Sequence, residues 1–192
     1  MGGFTTPVSG DARGLRHHLR ACKRSGGRVS IRPFAPGDEV AIADIYNHYV
    51  LHTSVTFEEE ALTPTALRER VDAGTAQGHP WLVWEDEAGR LQGYAYAGKF
   101  HHRAAYRRTM ELTVYLRHGQ QRQGRGRALY AAVLDHLRQT DCHVAMGIVA
   151  LPNEASAALH RSLGFQQVAH LHEVGHKFGR WIDVGFWELK LN

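Results

Sequence analysis

The sequence predicts an α/β domain built on a mixed, mostly antiparallel sheet with one central parallel strand pair. Strand-like runs at residues 81–84 and 91–97 flank a short turn at 85–89, which is a hairpin pattern. Farther on, a strand at 109–116 runs into a glycine-containing loop. A helix follows, with Ala128, Leu129, Ala132, Val133, Leu134 and Leu137 at helical spacing, and then a strand at 143–150. A strand–helix–strand unit of this kind is a right-handed parallel crossover. The length of 192 residues suits one domain with a substantial core.

The remaining elements follow in order. Residues 29–34 alternate apolar and polar as a first strand should, and Pro33 marks it as an edge. Asp38 is expected to cap a helix whose apolar stripe is Val40, Ile42, Ala43, Ile45, Tyr46 and Tyr49. Thr63-Pro64 opens a second helix, with Leu62, Leu67 and Val71 turned inward. Residues 153–163 read as a helix stopped by Gly164. Strands at 168–174 and 184–191 close the sheet, and Lys177 and Trp181 fall on the loop between them. The domain is expected to span residues 29–192, preceded by a basic, flexible extension at 1–28.

Charge and composition exclude several function classes. The net charge is +4, but residues 1–28 alone carry six cations against one carboxylate, or +5, so the remainder is −1. Basicity is a property of the extension, and the domain carries no basic–aromatic platform for nucleic acid. No apolar run approaches the ~20 residues that span a bilayer, and no secretory signal is visible, so a cytoplasmic protein is expected. Cys22 and Cys142 have no metal-ligand spacing and form no disulfide framework. Among 14 histidines, His101, His102, His170 and His172 lack partner carboxylates at convincing spacing, so no metal is expected.

Three features carry chemistry. The loop Gln121-Arg122-Gln123-Gly124-Arg125-Gly126 lies between a strand end and a helix start, where unpaired N–H groups and the helix dipole favour an anion. Arg117 and Arg127 add charge beside it. No Gly-Lys-Ser/Thr follows, so this is no nucleotide P-loop, and the third glycine of a dinucleotide fingerprint is missing. Glu111 lies on an apolar strand, where a carboxylate is out of place unless it is paired or functional. It suits a general base, or an ion pair with Arg107 or Arg108. A main-chain N–H of Val114, Tyr115 or Leu116 could hold an oxyanion if a strand bulge frees it. Asn153, at a helix start, suits a cap.

Gln121-x-x-Gly124-x-Gly126 matches the phosphate-loop signature of the GNAT superfamily of N-acetyltransferases, and residues 153–165, ending Leu163-Gly164-Phe165, resemble its second motif. Gly93-Tyr94-Ala95-Tyr96-Ala97-Gly98, Met110-Glu111-Leu112-Thr113-Val114-Tyr115-Leu116 and Trp181-Ile182-Asp183-Val184-Gly185-Phe186-Trp187 are similar to phosphinothricin N-acetyltransferases and L-amino acid N-acyltransferases. The resemblance covers residues 31–191 and implies the GNAT fold, with the parallel pair splayed around acyl-CoA. It implies acetyl-CoA as co-substrate and, as acceptor, the free amine of a small amino-acid-like compound such as phosphinothricin, methionine sulfone or methionine sulfoximine. It also implies a homodimer. In its terms Glu111 is the catalytic base, and His160, in a slot where many relatives carry tyrosine, is an acid or hydrogen-bond donor. The cofactor contacts would be Val114, Tyr115, Leu116, Gln121, Arg122, Gln123, Gly124, Arg125, Gly126, Arg127 and Asn153. Tyr106 and Arg107 would meet the acceptor, with Phe57 and Tyr49 as apolar walls. Other readings are a protein or polyamine acetyltransferase, a CoA-binding regulatory module without turnover, and a nucleic-acid binder acting through the extension.

Overall fold

The computed structural model describes residues 30–121 and 123–191. The expected extension at 1–28 and Arg122 lie outside them. In chain order the elements are β1 (Ser30–Pro33), α1 (Asp38–His52), α2 (Pro64–Thr75), β2 (Trp81–Glu85) and β3 (Leu91–Lys99). A 3-10 turn (Ala104–Tyr106) leads to β4 (Thr109–Leu116), α3 (Arg125–Leu137) and β5 (Val144–Leu151). Then come α4 (Glu154–Ser162), β6 (Gln166–Lys177) and β7 (Arg180–Lys190). The strands form one sheet in the order β1-β2-β3-β4-β5-β7-β6, antiparallel everywhere except between β4 and β5. Pro33 sits on an edge strand, as expected.

Strand side chains alternate between faces, and each face finds its own cover. Leu82, Trp84, Ala95, Ala97 and Leu112 pack with Leu129, Tyr130, Val133, Leu134 and Leu137 of α3. On the other face, Trp81, Val83 and Tyr94 meet Ile42, Ile45 and Tyr46 of α1 and Leu67 and Val71 of α2. Each fully buried aliphatic chain contributes about 1.5–3 kcal/mol. The sheet is thus clamped between α1/α2 and α3, and the parallel pair lies near its middle.

Four expectations need correction. Asp38 is the first helical residue, not the cap. Gly37 occupies the cap in a left-handed conformation (φ 104°), and Asp38 instead accepts from Ala35 N (2.8 Å) and pairs with Arg32 (2.6 Å). Val40 leaves the apolar stripe and is 60% exposed, because the buried face of α1 is Ile42, Ala43, Ile45, Tyr46 and Val50. β6 and β7 are longer than the apolar pattern suggested, and meet at a tight turn with positive φ at Phe178 (52°) and Gly179 (71°). Lys177, Gly175, His176 and Trp181 are therefore strand residues and not loop residues, and Lys177 is buried. No helix among the described residues is long and apolar enough to cross a membrane.

Leu129 is fully buried at the centre of the α3 contact. Leu129→Ala should lower the unfolding free energy by about 2–5 kcal/mol, read by urea denaturation.

Candidate active site

The cleft is made by strand pairing that stops early. β4 and β5 pair at Thr109–Val144, Met110–Ala145 and Glu111–Met146, and no farther. Both strands continue, to Leu116 and Leu151, each held only on its outer side, by β3 and by β7. Apart from the Leu112 N–H, which the Glu111–Met146 bridge uses, main-chain groups of residues 112–116 that point toward β5 therefore lack strand partners. Arg117 N donates to Gln92 O (2.7 Å), which fixes the phase of the ladder. Antiparallel pairs alternate, so the N–H and C=O groups of Thr113 and Tyr115 face β3, and those of Leu112, Val114 and Leu116 face the cleft. Splaying of the parallel pair exposes these groups, and the β3–β4 register has no bulge. Two of the three expected oxyanion donors, Val114 and Leu116, are so directed. Tyr115 turns its amide to β3 and packs its ring on Tyr46 and Tyr49.

The helix start beside the cleft is open. α3 begins at Arg125, after Gly124 in the left-handed region (φ 73°), where a side chain would be strained. No side chain caps it, and its first internal bond is Ala128 N to Gly124 O. The N–H groups of Arg125, Gly126 and Arg127 thus have no acceptor within the helix. Nε of Arg125 is buried without a partner among the described residues, and its guanidinium lies 5.4 Å from the centre of the Trp84 ring. Arg127 and Gln123 are exposed. Gln121 is exposed, accepting from Gly119 N (2.9 Å) and donating to Tyr49 Oη (3.3 Å). Arg117 pairs with Asp44 of α1, so its charge is spent away from the helix start.

Glu111 stands at the fork, in the last paired position of the parallel ladder. Its carboxylate has no hydrogen bond or ion pair among the described residues. Arg108 pairs with Asp141 (3.2 Å), and Arg107 reaches only Ala104 O (3.5 Å). Burial without a compensating cation pushes the Glu111 carboxyl above its ordinary range. The ion pair that the sequence left open is not formed.

Glu111 shares its face with Thr113 and Tyr115 and, across β3, with Tyr96. Tyr46 Oη bonds Thr56 Oγ1 (2.8 Å), which holds the segment after α1 against this face. The buried Lys177 donates to Thr56 O (2.8 Å) and Glu58 O (2.7 Å) and ties the same segment to β6. Phe57 lies over Gly175, where any Cβ would collide with its ring. Tyr49 is committed elsewhere, donating to Leu116 O (2.5 Å) at the end of β4. Tyr106, 41% exposed, packs on Phe100 and His101 just before β4. Lys177 and Thr56, which the sequence gave no reason to link, thus shape one wall.

His160 is 3% exposed. Its Nδ1 lies 2.8 Å from Ser156 O and its Nε2 2.9 Å from Tyr130 Oη. Gly147 on β5 makes room, since a Cβ there would overlap the imidazole. Burial lowers the His160 pKa. Asn153 caps α4, accepting from Ser156 N (3.0 Å).

The histidines at 170 and 172 do have a carboxylate, which corrects the sequence reading. Asp183 Oδ2 lies 2.7 Å from His170 Nε2 and 3.2 Å from His172 Nδ1, and Oδ1 accepts from Glu173 N (2.9 Å). The partner was invisible because it comes from β7, across an irregular stretch of the β6 register. Hydrogen bonds account for each of these contacts and hold Asp183 down to a pKa of about 2.

Residues 31–185 match the family described as Acetyltransferase (GNAT) domain. The chain belongs to the GNAT acetyltransferase family. It is an acetyl-CoA-dependent N-acetyltransferase. It is 39% identical over 160 residues to a phosphinothricin N-acetyltransferase from Streptomyces viridochromogenes, covering 83% of this chain and 86% of that one. An L-methionine sulfoximine/L-methionine sulfone acetyltransferase from Pseudomonas paraeruginosa is 38% identical over 167 residues, covering 85% and 95%. The fold superposes on a GNAT phosphinothricin acetyltransferase from Sinorhizobium meliloti in complex with acetyl-CoA, with TM-score 0.83, 31% identity, and 85% and 89% coverage. The uncapped α3 start, the orphaned Arg125 Nε and the unpaired β4 edge fit such a co-substrate.

An unpaired, half-buried carboxylate costs stability when ionised. Because its folded pKa is raised, the folded state is favoured by Glu111 at low pH and loses that support as pH rises through the folded pKa. Glu111→Gln should therefore raise the melting temperature at neutral pH. The gain should fade as pH drops toward the ordinary carboxyl range, in thermal unfolding measured across pH.

Proposed function

We propose that the enzyme transfers the acetyl group of acetyl-CoA directly to the free amine of a small amino-acid-like acceptor, of the phosphinothricin, methionine sulfone or methionine sulfoximine type. The observation that carries this is Glu111, a half-buried carboxylate without a cation, at the fork of a cleft lined with free main-chain groups. The relatives' substrates support the acceptor class.

An amino-acid ammonium must lose a proton before it can attack. Glu111, with its raised pKa, takes that proton at neutral pH. Acetyl-CoA supplies an activated acyl group when bound. The cleft-facing N–H groups of Val114 and Leu116 oppose the negative charge that develops on the carbonyl oxygen. The open N–H groups of Arg125, Gly126 and Arg127, with the arginine side chains, Gln121, Gln123 and Gly124, hold the pyrophosphate, and Asn153 borders the pantetheine arm. Arg107, with no carboxylate partner among the described residues, clamps the acceptor's acid group beside Tyr106, and Phe57 walls its side chain.

The enzyme works as a cytoplasmic homodimer in this reading, where acetyl-CoA is made and used. Val168, Val174, Phe178 and Trp181 are each more than half exposed on and around edge strand β6, an apolar surface suited to a second copy. Trp181→Asp should shift the mass measured by sedimentation toward the monomer.

Free-thiol release from acetyl-CoA with phosphinothricin, methionine sulfone and methionine sulfoximine tests the reaction, and no turnover with any of them overturns it. Glu111→Gln should lower kcat by about 10²–10⁴ with CoA affinity unchanged. In the wild type, kcat/KM should rise with pH through the Glu111 ionisation, at a midpoint above that of an ordinary carboxyl.

A further inference from the structure

Alternate residues of a strand share a face, so His170 and His172 of β6 stand side by side, and Asp183 of β7 lies beside both. The register explains why the three meet. Leu171 pairs with Val184 and Gly175 with Ile182, so His172, Glu173 and Val174 stand opposite Asp183 alone. The ladder is interrupted at this bulge. Glu173 takes a left-handed conformation (φ 54°), which a side chain disfavours, and its N–H donates to Asp183 Oδ1 (2.9 Å). That bond orients the carboxylate and leaves Oδ2 to the imidazoles, 2.7 Å from His170 Nε2 and 3.2 Å from His172 Nδ1. The two ring centres are 4.4 Å apart. One ligand atom from each of the three residues lies within 4.8 Å of the other two. In a tetrahedral zinc site, neighbouring ligand atoms are about 3.3 Å apart.

We propose that His170, His172 and Asp183 bind a divalent transition-metal ion of the zinc class, which clips β6 to β7 across the bulge. Two imidazoles and one carboxylate suit zinc, cobalt or nickel, whereas magnesium and calcium seek oxygen. Three protein ligands on an open face leave further positions to water. The Glu173 N–H on Oδ1 serves as the orienting hydrogen bond behind a metal-bound carboxylate. Asp183 Oδ2 can only accept, so without the ion each facing nitrogen carries a proton. On binding, each ring moves that proton to its other nitrogen, and the facing lone pair goes to the metal. Both histidines are exposed, so water carries the exchange. Asp183 pairs with Leu151, the last residue of β5, so the clip also steadies the strand on the far side of the cleft. No step of acetyl transfer passes through the ion.

Calorimetric titration of the full chain, stripped of metal by a chelator and carrying no affinity tag, tests this. Zn²⁺ should bind as one tight equivalent per chain. At about a hundredfold excess over its Kd it should raise the melting temperature by about 5–10 °C. Mg²⁺ and Ca²⁺ should do neither. His172→Gln removes an exposed ligand, and Asp183→Asn keeps an acceptor for Glu173 N. Each should weaken Zn²⁺ binding about tenfold or more with the far-ultraviolet circular dichroism unchanged. The control is His48 and His118, whose ring centres lie 4.5 Å apart on other elements. His48→Gln combined with His118→Gln should leave the Zn²⁺ affinity within about twofold. Three results overturn the site: no Zn²⁺ binding, Ca²⁺ binding as tight as Zn²⁺ binding, or affinity lost in the control and kept in folded His172→Gln and Asp183→Asn. Binding and melting are read without acetyl-CoA or an amine, so the outcome is independent of the acceptor assignment.

Discussion

Main-chain pairing between β4 and β5 ends at Glu111 and Met146, while both strands run on for another turn of pleat. A pair of parallel strands in the middle of a sheet ordinarily satisfies its N–H and C=O groups with each other. Here β3 and β7 hold the outer edges, and the inner edges diverge. The unpaired edge is the element from which the site grows. It supplies directed amides at Val114 and Leu116, it leads into the glycine turn at Gly124, and it leaves Glu111 at the vertex.

The opening persists because its surroundings are rigid. Tyr49 from α1 fastens the far end of β4 through Leu116 O, and Tyr130 from α3 reaches Leu112 O at the near end. Helices on both faces of the sheet thus each hold one end of the exposed strand. The close approach of His160 to β5 needs glycine at 147, and that of Phe57 to β6 needs glycine at 175. Such glycines are positions where sequence change would close the site without touching its chemistry. Ionised Glu111 opposes this stability, since nothing among the described residues neutralises it. A cationic partner would make a more stable protein and, in the proposed reaction, a poorer base.

Element order, the parallel crossover and the glycine turn before α3 were legible because each has a local signature. Strand period, helix period, and a glycine between them are read within a few residues. Glu111 was legible as a carboxylate on an apolar strand, but its freedom from Arg107 and Arg108 depended on where those chains turned. The role of Asp38 was misread because a glycine cap leaves no side-chain signal. The length of β6 and β7 was missed because their ends carry Lys177, Arg180 and exposed aromatics instead of an alternating pattern. Asp183, Tyr130 and the buried Lys177 join their partners across 10 to 121 residues of sequence, and no local rule connects them.

Amide hydrogen exchange with and without CoA examines the cleft most directly. Binding should protect Val114 and Leu116 on the open edge of β4 together with Arg125, Gly126 and Arg127 at the start of α3, and leave Thr113 and Tyr115, already paired to β3, unchanged. Protection confined to other segments, or none at either the β4 edge or the α3 start, would contradict the account.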